Sequence, residues 1–280
     1  MKEINTNEII NGVKKICIES NYYLSKDISK KLKKSREEET FPIAKQMLDK
    51  IIINSDIASK ENMPMCQDTG MAVIFVELGQ DIHIVGRGLK EAINEGVRQG
   101  YSEGYLRKSV VKDPLTRVNT GDNTPAVIHI DVVEGEELKI TIAPKGFGSE
   151  NMSRIKMLKP SDGVEGVKEF VLETVKIAGP NPCPPIIVGV GIGGTFEKAA
   201  ELSKKALLRS IEERNKDTYY SDLEDELISK INKLGIGPQG FGGKTTALGV
   251  NIETYPTHIA GLPVAVNISC HATRHAEIIL

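Results

Sequence analysis

The sequence has only four cysteines, Cys17, Cys66, Cys183 and Cys270, and no two of them form a CxxC pair. This spacing excludes the closely spaced pairs that are typical of a disulfide scaffold or a zinc finger. In a reducing compartment, isolated thiols either pack in a hydrophobic core or act as ligands. The residues around each cysteine are therefore needed to distinguish a packing role from a ligand role.

An excess of charge of one sign and long apolar runs are also missing. The 36 Lys and Arg residues nearly balance the 38 Asp and Glu residues, and no block of like charge has the length of a nucleic-acid-binding arm. The N-terminal segment lacks the apolar core of a secretion signal, and no apolar stretch reaches the length of a membrane span. We therefore predict a soluble cytoplasmic protein that binds small molecules or other proteins, with no nucleic-acid or membrane partner.

Hydrophobic periodicity predicts two kinds of region along the chain. Up to about residue 60, apolar residues such as Ile9, Val13 and Ile16 recur at helical spacing, interrupted by the charged segment 29–39. From Met71 onward, short β-rich runs alternate with helix-period segments. The predicted fold class is α/β (mixed α+β), with a helical N-terminal region, residues 1–60, followed by mixed short-stranded sheets flanked by helices, residues 61–280.

The individual elements of this body follow from the same patterns. Strands are predicted at 71–78, 81–86, 126–133, 138–144, 247–255 and 262–270, and a further strand is plausible in the apolar run just before the glycines of 189–194. Helices are predicted at 89–100, 163–179, 196–214 and 223–235. The polar residues 134–137 predict a hairpin between the third and fourth strands.

Two glycine clusters are similar to nucleotide-binding motifs. The sequence "GVGIGG" at 189–194 fits the GxGxxG fingerprint of dinucleotide sites, but no acidic residue ends a second strand about twenty residues later. The simpler interpretation is a tight turn between a strand and a helix, where glycine permits close approach of the backbone. The sequence "GPQGFGGKTT" ends like a phosphate-binding loop, but Pro238 stands where its first glycine is required, which leaves Lys244 at most a smaller anion.

The cysteines divide by their neighbours. Cys17 falls on the apolar stripe of the first predicted helix, which indicates packing. The other three lie in "MPMCQDTG", "NPCPP" and "NISCHATRH", beside prolines or beside residues that transfer protons or bind anions. Three thiolates can hold an iron–sulfur cluster with one iron open, whereas three unrelated cysteines are an equally acceptable interpretation of the spacing alone.

Six segments together carry a family resemblance. They are "MPMCQDTG", "APKGFGSENMS", "NPCPP", "GVGIGGTFEKAA", "PTHIAGLPVAV" and "SCHATRH", in this order. The chain from about residue 40 to its end resembles the alpha subunit, or N-terminal domain, of class I iron–sulfur fumarate hydratases and of the related L-tartrate dehydratases. The resemblance implies a single domain over residues 1–280 and a [4Fe-4S] cluster held by Cys66, Cys183 and Cys270.

The resemblance also implies residues that act on a C4 dicarboxylate. The implied substrate-binding residues are Gln67, Asp68, Arg107, Gly146 and Gly148, and the implied catalytic residues are Asp68 and His258. Asp68 would position or activate the base, and His258 would donate a proton to the leaving hydroxyl. Arg107 would bind a carboxylate. Each has a simpler alternative: Arg107 could pair with a surface acid, His258 could be a hydrogen-bonded histidine, and the polar residues at 271–275 could support the cluster loop.

The implied function is that of a hydro-lyase subunit that hydrates fumarate to L-malate, a step of the tricarboxylic acid cycle. The sequence ends ten residues after Cys270, whereas single-chain relatives continue into a second domain. We therefore expect a separate small beta subunit and an α2β2 heteromer. The alternatives are an L(+)-tartrate dehydratase alpha subunit and a non-enzymatic iron–sulfur redox sensor or electron carrier, although an electron carrier would usually provide four protein ligands.

Overall fold

A computed structural model of the chain describes residues 2–280. The helices are α1 (Thr6–Tyr22), α2 (Lys26–Glu38), α3 (Pro42–Glu61), α4 (Leu89–Glu103), α5 (Phe147–Glu150), α6 (Gly163–Ala178), α7 (Phe196–Ala206) and α8 (Thr218–Asn232). The strands are β1 (Lys2–Asn5), β2 (Met71–Gly79), β3 (Ile82–Val85), β4 (Val127–Val133), β5 (Leu138–Lys145), β6 (Arg154–Leu158), β7 (Ile186–Gly193), β8 (Ala247–Tyr255), β9 (Leu262–Ser269) and β10 (Ala276–Ile279). This combination confirms the predicted mixed α/β class.

The described residues form two compact units. The first unit contains the chain up to Leu24 together with 54–147 and 274–280, and the second contains 25–53 and 148–273. The expectation of one domain over residues 1–280 stays a prediction.

The first unit is a four-stranded sheet covered by helices. Its strand order is β10-β5-β2-β4, and β1 pairs with β3 in a separate parallel ribbon. Helix α1 begins at a capping box. The Asn5 side chain accepts a hydrogen bond from a backbone N–H of the first turn, and the Glu8 carboxylate accepts the backbone N–H of Asn5. Its apolar stripe, including Ile9 and Val13, packs with α4 and with strand residues such as Ile74 in one core.

The second unit is built around strand β7, which is buried along its whole length. The strand order is β6-β9-β7-β8, with β7 parallel to β8 and antiparallel to β9. One face of β7 presents Val188 and Val190 to residues of α6 and α8, such as Phe170 and Leu227. The other face lies against α7. Coverage on both faces explains why this strand is apolar without alternation.

The predicted hairpin between 126–133 and 138–144 is wrong. Strand β2 lies between β4 and β5, pairing in parallel with β4 and antiparallel with β5. The residues 134–137 therefore connect two strands that are not neighbours. A short polar connection shows where the chain reverses direction. It does not show that β2, from an earlier part of the sequence, lies between β4 and β5.

Other boundaries also differ from the sequence predictions. The charged segment 29–39 is largely helical, because Ile28 and Leu32 give α2 a buried stripe. The predicted helix at 196–214 ends at Ala206. The short strands β1, β6 and β10 were not predicted; each contains only four or five residues, too few to establish a period.

The GxGxxG cluster is a packing device. Gly189 and Gly191 lie inside β7, and a Cβ on either would stand 2.1 Å from a backbone oxygen of α7, that of Ser203 or Ala199. The helix can approach the strand this closely only because both positions lack a side chain. The interpretation of the glycines as positions of close backbone approach is supported. The predicted turn differs, because most of the motif lies within β7 and only its last glycine, Gly194, belongs to the turn before α7.

Candidate active site

Cys17 differs from the other three cysteines in its burial. Its side chain is completely inaccessible in the core of the first unit, and burial raises the pKa of the thiol. By contrast, Cys66 and Cys270 are half-buried and Cys183 is exposed. The packing role of Cys17 is thus confirmed, and the three remaining cysteines keep the accessibility that a ligand requires.

Two of these cysteines lie at one edge of the second unit's sheet. Cys183 precedes the start of β7, and Cys270 follows the end of β9. The two strands are antiparallel neighbours, with Ile187 opposite Ser269. The start of one and the end of the other therefore meet, and we call this side of the sheet the cysteine edge.

Main-chain hydrogen bonds fasten the two cysteine loops to each other. The backbone N–H of His271 donates to the carbonyl oxygen of Cys183 at 3.3 Å, and His271 Nδ1 lies 2.9 Å from the same oxygen. Cys183 itself has a φ of 54° and donates its N–H to Pro180. A left-handed conformation is costly for a non-glycine residue, and the α region is disfavoured before proline, so the surrounding loop has to enforce this geometry.

The second glycine cluster supports the same loop, and its lysine is bonded to a different part of the chain. The backbone N–H and the Nε2 of Gln239 both donate to the carbonyl of Pro184, at 2.7 and 2.8 Å, and Nε2 lies 3.2 Å from His271 Nδ1. Lys244 is held elsewhere, because its N–H donates to the Glu39 carboxylate and its Nζ to the carbonyl of Glu38. Gln239 lies inside a glycine-rich motif that is visible in the sequence, but nothing in that motif predicts its bonds to Pro184.

The "CQDTG" segment lies in the first unit and is held by buried polar groups. The Asp68 carboxylate accepts the N–H of Gly70 at 3.0 Å and that of Phe147 at 2.9 Å. The buried Tyr101 hydroxyl donates to the carbonyls of Thr69 and Gly70 at 3.1 and 3.0 Å, and burial raises the pKa of this phenol. These bonds fix the segment that carries Cys66 and Asp68, while Gln67 is exposed beside the Cys66 sulfur, with its Oε1 at 3.8 Å.

Arg107 reaches the same segment through its backbone. Its backbone N–H donates to Thr69 Oγ1 at 2.9 Å, and Thr69 Oγ1 donates to the carbonyl of Arg107 at 3.4 Å. The guanidinium is exposed, and within residues 2–280 no carboxylate pairs with it. The alternative in which Arg107 serves a surface ion pair is therefore not supported.

The two predicted glycines differ in their surroundings. A Cβ on Gly146 would stand 3.2 Å from Asp68 Oδ2 and 3.7 Å from Arg274 Nη2, both in the first unit. A Cβ on Gly148, in the second unit, would meet only the carbonyl oxygen of Asn181 at 3.6 Å, an ordinary contact. Only Gly146 is thus next to a predicted site residue.

His258 does not lie at the cysteine edge. It follows the end of β8, and its neighbour Thr257 donates to the carbonyl of Gly194, just beyond the end of β7. Since β7 contains eight residues, the cysteine edge lies about 23 Å away along the strand. The exposed imidazole accepts the N–H of Ala260 at Nδ1, which leaves Nε2 to carry the proton of the neutral ring.

The predicted residues are thus distributed over both units. Cys66, Gln67, Asp68, Arg107 and Gly146 belong to the first unit, and Gly148, Cys183, His258 and Cys270 to the second. Within neither unit, over residues 2–280, do three or more His, Cys, Asp or Glu side chains come together as a metal site. Each unit by itself therefore provides only part of the predicted ligand set.

A family model now places the chain in a class. The model described as "Fumarate hydratase (Fumerase)" matches residues 10–279, nearly the whole sequence. The chain therefore belongs to the fumarate hydratase family, and the class of enzyme that this family defines is the hydro-lyase.

Individual relatives narrow the comparison. A protein named "Putative L(+)-tartrate dehydratase subunit alpha" from Methanocaldococcus jannaschii is 48% identical over 264 residues, which is 92% of either chain. The "L(+)-tartrate dehydratase subunit alpha" of Escherichia coli O157:H7 is 34% identical, with 100% of this chain and 94% of the relative covered. None of the helices described in residues 2–280 has the length and apolar character needed to cross a membrane.

Proposed function

We propose that this chain is the alpha subunit of an iron–sulfur hydro-lyase that interconverts fumarate and L-malate. The observation that carries the proposal is the meeting of Cys183 and Cys270 at one sheet edge, tied together through His271. Membership in the fumarate hydratase family supports the reaction class. We expect the enzyme to work in the cytoplasm, where thiols stay reduced.

Cys66, Cys183 and Cys270 are proposed to hold a [4Fe-4S] cluster. The fit rests on the donor set, because these three thiols are accessible while the fourth, Cys17, is sealed in the core. Three thiolates leave one iron without a protein ligand, and that iron would supply Lewis acidity toward the substrate hydroxyl. The prolines and the left-handed Cys183 keep one donor in a fixed place.

The residues of the first unit are proposed to bind and orient the dicarboxylate. No group of residues 2–280 bonds the planar guanidinium of Arg107, which can bond both oxygens of a carboxylate. Asp68 is oriented by the two N–H groups it accepts and would position or activate the base. Gln67, Gly146 and Gly148 would complete the binding surface through an amide and through backbone groups.

His258 is proposed to donate a proton to the leaving hydroxyl from Nε2. Because it lies about 23 Å along the sheet from the cysteine edge of its own chain, this role requires the histidine of a second copy. An α2β2 assembly would provide that copy. The separate beta subunit is proposed because the relatives named above carry the designation "subunit alpha".

The second candidate is L(+)-tartrate dehydratase. It is favoured by the names of the relatives at 34% and 48% identity. Tartrate carries one hydroxyl more than malate, so the loss of water from it would use the same Lewis acid and the same carboxylate binding. The two candidates differ in how the additional hydroxyl is recognised.

The test is anaerobic reconstitution with iron and sulfide, followed by fumarate and tartrate assays with and without a coexpressed beta subunit. We expect a [4Fe-4S] spectrum, fumarate hydration only with the partner, and a change of the EPR spectrum on addition of substrate. Cys183→Ser should abolish the intact cluster signal, whereas Cys17→Ser should retain it. Malate formation by the alpha chain alone would contradict the subunit proposal, and an EPR spectrum that neither dicarboxylate changes would contradict the open iron.

A further inference from the structure

Arg274 is a buried cation that makes no salt bridge with a carboxylate of residues 2–280. Its side chain belongs to a residue that is only 4% exposed. Nη1 donates to Asn21 Oδ1 and Nη2 to the carbonyl oxygen of Asp68, both at 2.9 Å, and no described residue accepts from Nε. Both acceptors are neutral, and no carboxylate of residues 2–280 forms a salt bridge with the guanidinium.

These two bonds fasten the segment that carries Cys66. The carbonyl of Asn21 accepts the N–H of Met65 at 3.1 Å, and Asn54 Nδ2 donates to the carbonyl of Met65 at 2.8 Å. Arg274 holds Asp68 on the other side of Cys66. The thiol therefore lies between two anchored residues, and the same arginine reaches both anchors, one directly and one through Asn21.

The choice of arginine carries the argument further. A buried charge costs free energy unless an opposite charge compensates it, and two neutral acceptors could be held by a neutral donor. Arg274 Nη2 and Asp68 Oδ2 both lie within 4 Å of the position of a Cβ on Gly146, so the guanidinium is near the carboxylate that we place in the substrate site. A cluster of thiolates and a dicarboxylate would provide further negative charge.

We propose that Arg274 is a positioning residue that sets the place of Cys66 and of Asp68 for cluster and substrate binding. This inference rests on the proposed function and extends it to a residue that is not itself a proposed ligand of the cluster. The planar fork is what the role requires, because it bonds two oxygens in a fixed relative geometry, which an ammonium does not.

The test uses Arg274→Lys, which keeps the charge and loses the fork, with Arg87→Lys as the matched control in an exposed ion pair of the same unit. The rate of iodoacetamide alkylation of each cysteine is measured by mass spectrometry in the cluster-free chain. We expect Cys66 to react about tenfold faster in Arg274→Lys, as the loss of a charged hydrogen bond allows. Cys17 should stay protected, and Cys183 should be unchanged.

A second measurement addresses the loaded enzyme. In the reconstituted complex with its partner, Arg274→Lys should lower cluster affinity or kcat/KM by about tenfold, the scale of a supporting residue around a metal. If Arg274→Lys does not fold, Asn21→Ala removes one acceptor, keeps the arginine, and should increase the Cys66 rate in the same direction by a smaller factor.

Two results would overturn the inference. An unchanged Cys66 rate would show that Arg274 does not position the segment. If Cys17 were alkylated faster together with Cys66, Arg274 would only stabilise the fold, because Cys17 is buried in the core. Since alkylation needs neither cluster nor substrate, these results are independent of whether the wild-type complex hydrates fumarate.

Discussion

Gly146 is the residue whose missing side chain matters most for the proposed substrate site. A methyl group there would stand 3.2 Å from Asp68 Oδ2, tighter than ordinary packing. We expect Gly146→Ala to displace the carboxylate and to lower kcat/KM for the dicarboxylate by about 10²-fold, as a small misplacement of a catalytic group does. Steady-state kinetics of the reconstituted complex measure this.

Gly148→Ala is the matched control, because its methyl group would make an ordinary contact at 3.6 Å. We expect kcat/KM to stay within about threefold of the parent, less than 1 kcal/mol. Equal losses in the two variants would show that proximity to Asp68 is not what makes Gly146 necessary.

Single residues could be predicted from the sequence where a motif surrounds them. Cys66, Cys183 and Cys270 could be separated from Cys17 because of their polar and proline neighbours. Gln239 and Asn54 could not, since each donates to a carbonyl that is distant in the sequence, Pro184 in one case and Met65 in the other. A hydrogen bond to a main-chain oxygen demands no particular partner residue and leaves no pattern.

At the scale of elements, the contact between β7 and α7 depends on glycine. A Cβ on Gly191 would stand 2.1 Å from the carbonyl oxygen of Ala199 and 2.6 Å from the N–H nitrogen of Ser203. We expect Gly191→Ala to lower the free energy of unfolding by about 3 kcal/mol or more, because backbone atoms cannot move aside as a side chain can. Urea denaturation of the cluster-free chain measures the change.

Gly88→Ala serves as the reference for that substitution. No atom lies within 4 Å of a Cβ at Gly88, and its φ of −62° suits any residue. A change of less than about 1 kcal/mol is expected there. If Gly191→Ala were as mild, the interpretation of the motif as a packing device would have to be abandoned.

Helix α2 is fastened to the turn after α7 by Asp27. Partial burial raises the pKa of this carboxyl, but hydrogen bonds from Ser210 and from the N–H groups of Ile28 and Ile211 outweigh burial and lower it. The ionised form therefore stabilises the fold fully above the unfolded-state pKa of about 4. This contribution is lost as the pH falls through the lower folded-state pKa.

Asp27→Asn removes the titrating group. We expect the variant to be less stable than the parent by about 1–3 kcal/mol at pH 7, the value of hydrogen bonds to a charged acceptor. The difference should shrink below pH 4 in urea titrations of the cluster-free chain, and the exposed Asp222→Asn should show no comparable difference. An equal difference at pH 3 and pH 7 would contradict the assignment to the charge.

Elements with a sustained period were predictable, and pairings were not. Strands β2, β8 and β9 were predicted within one residue of their ends, because β-rich runs are bounded by turn residues. The order of β5, β2 and β4 could not be inferred, since sheet pairing joins residues far apart in the sequence. The contact of α7 with β7 left a signal in the glycines, which is also compatible with a nucleotide-binding fingerprint.

At the scale of the whole molecule, the place of His258 predicts an active site shared between copies. His258→Ala and Cys183→Ser chains should each be inactive as pure alpha subunits, because one lacks the proton donor and the other the cluster. Random mixing before assembly should restore about one quarter of the parent activity, since half of the pairs contain one intact site out of two. Fumarate hydration by purified mixed complexes measures it.

Mixing the same chains after assembly is the control, and it should restore nothing until subunits exchange. A shared site would be contradicted if complexes assembled from the mixed chains were no more active than those of either pure variant. The distance along β7 would then have to be explained without proton transfer by His258.

The bonds between His271 and the Cys183 carbonyl have a thermodynamic consequence. Because they join main-chain oxygen to a residue adjacent to Cys270, the separation of the two thiols is fixed by the fold and not by what they bind. The conformational entropy of bringing two ligands together is then lost during folding, and metal binding does not have to repay it. Two of the three proposed ligands are thus preorganised before iron arrives.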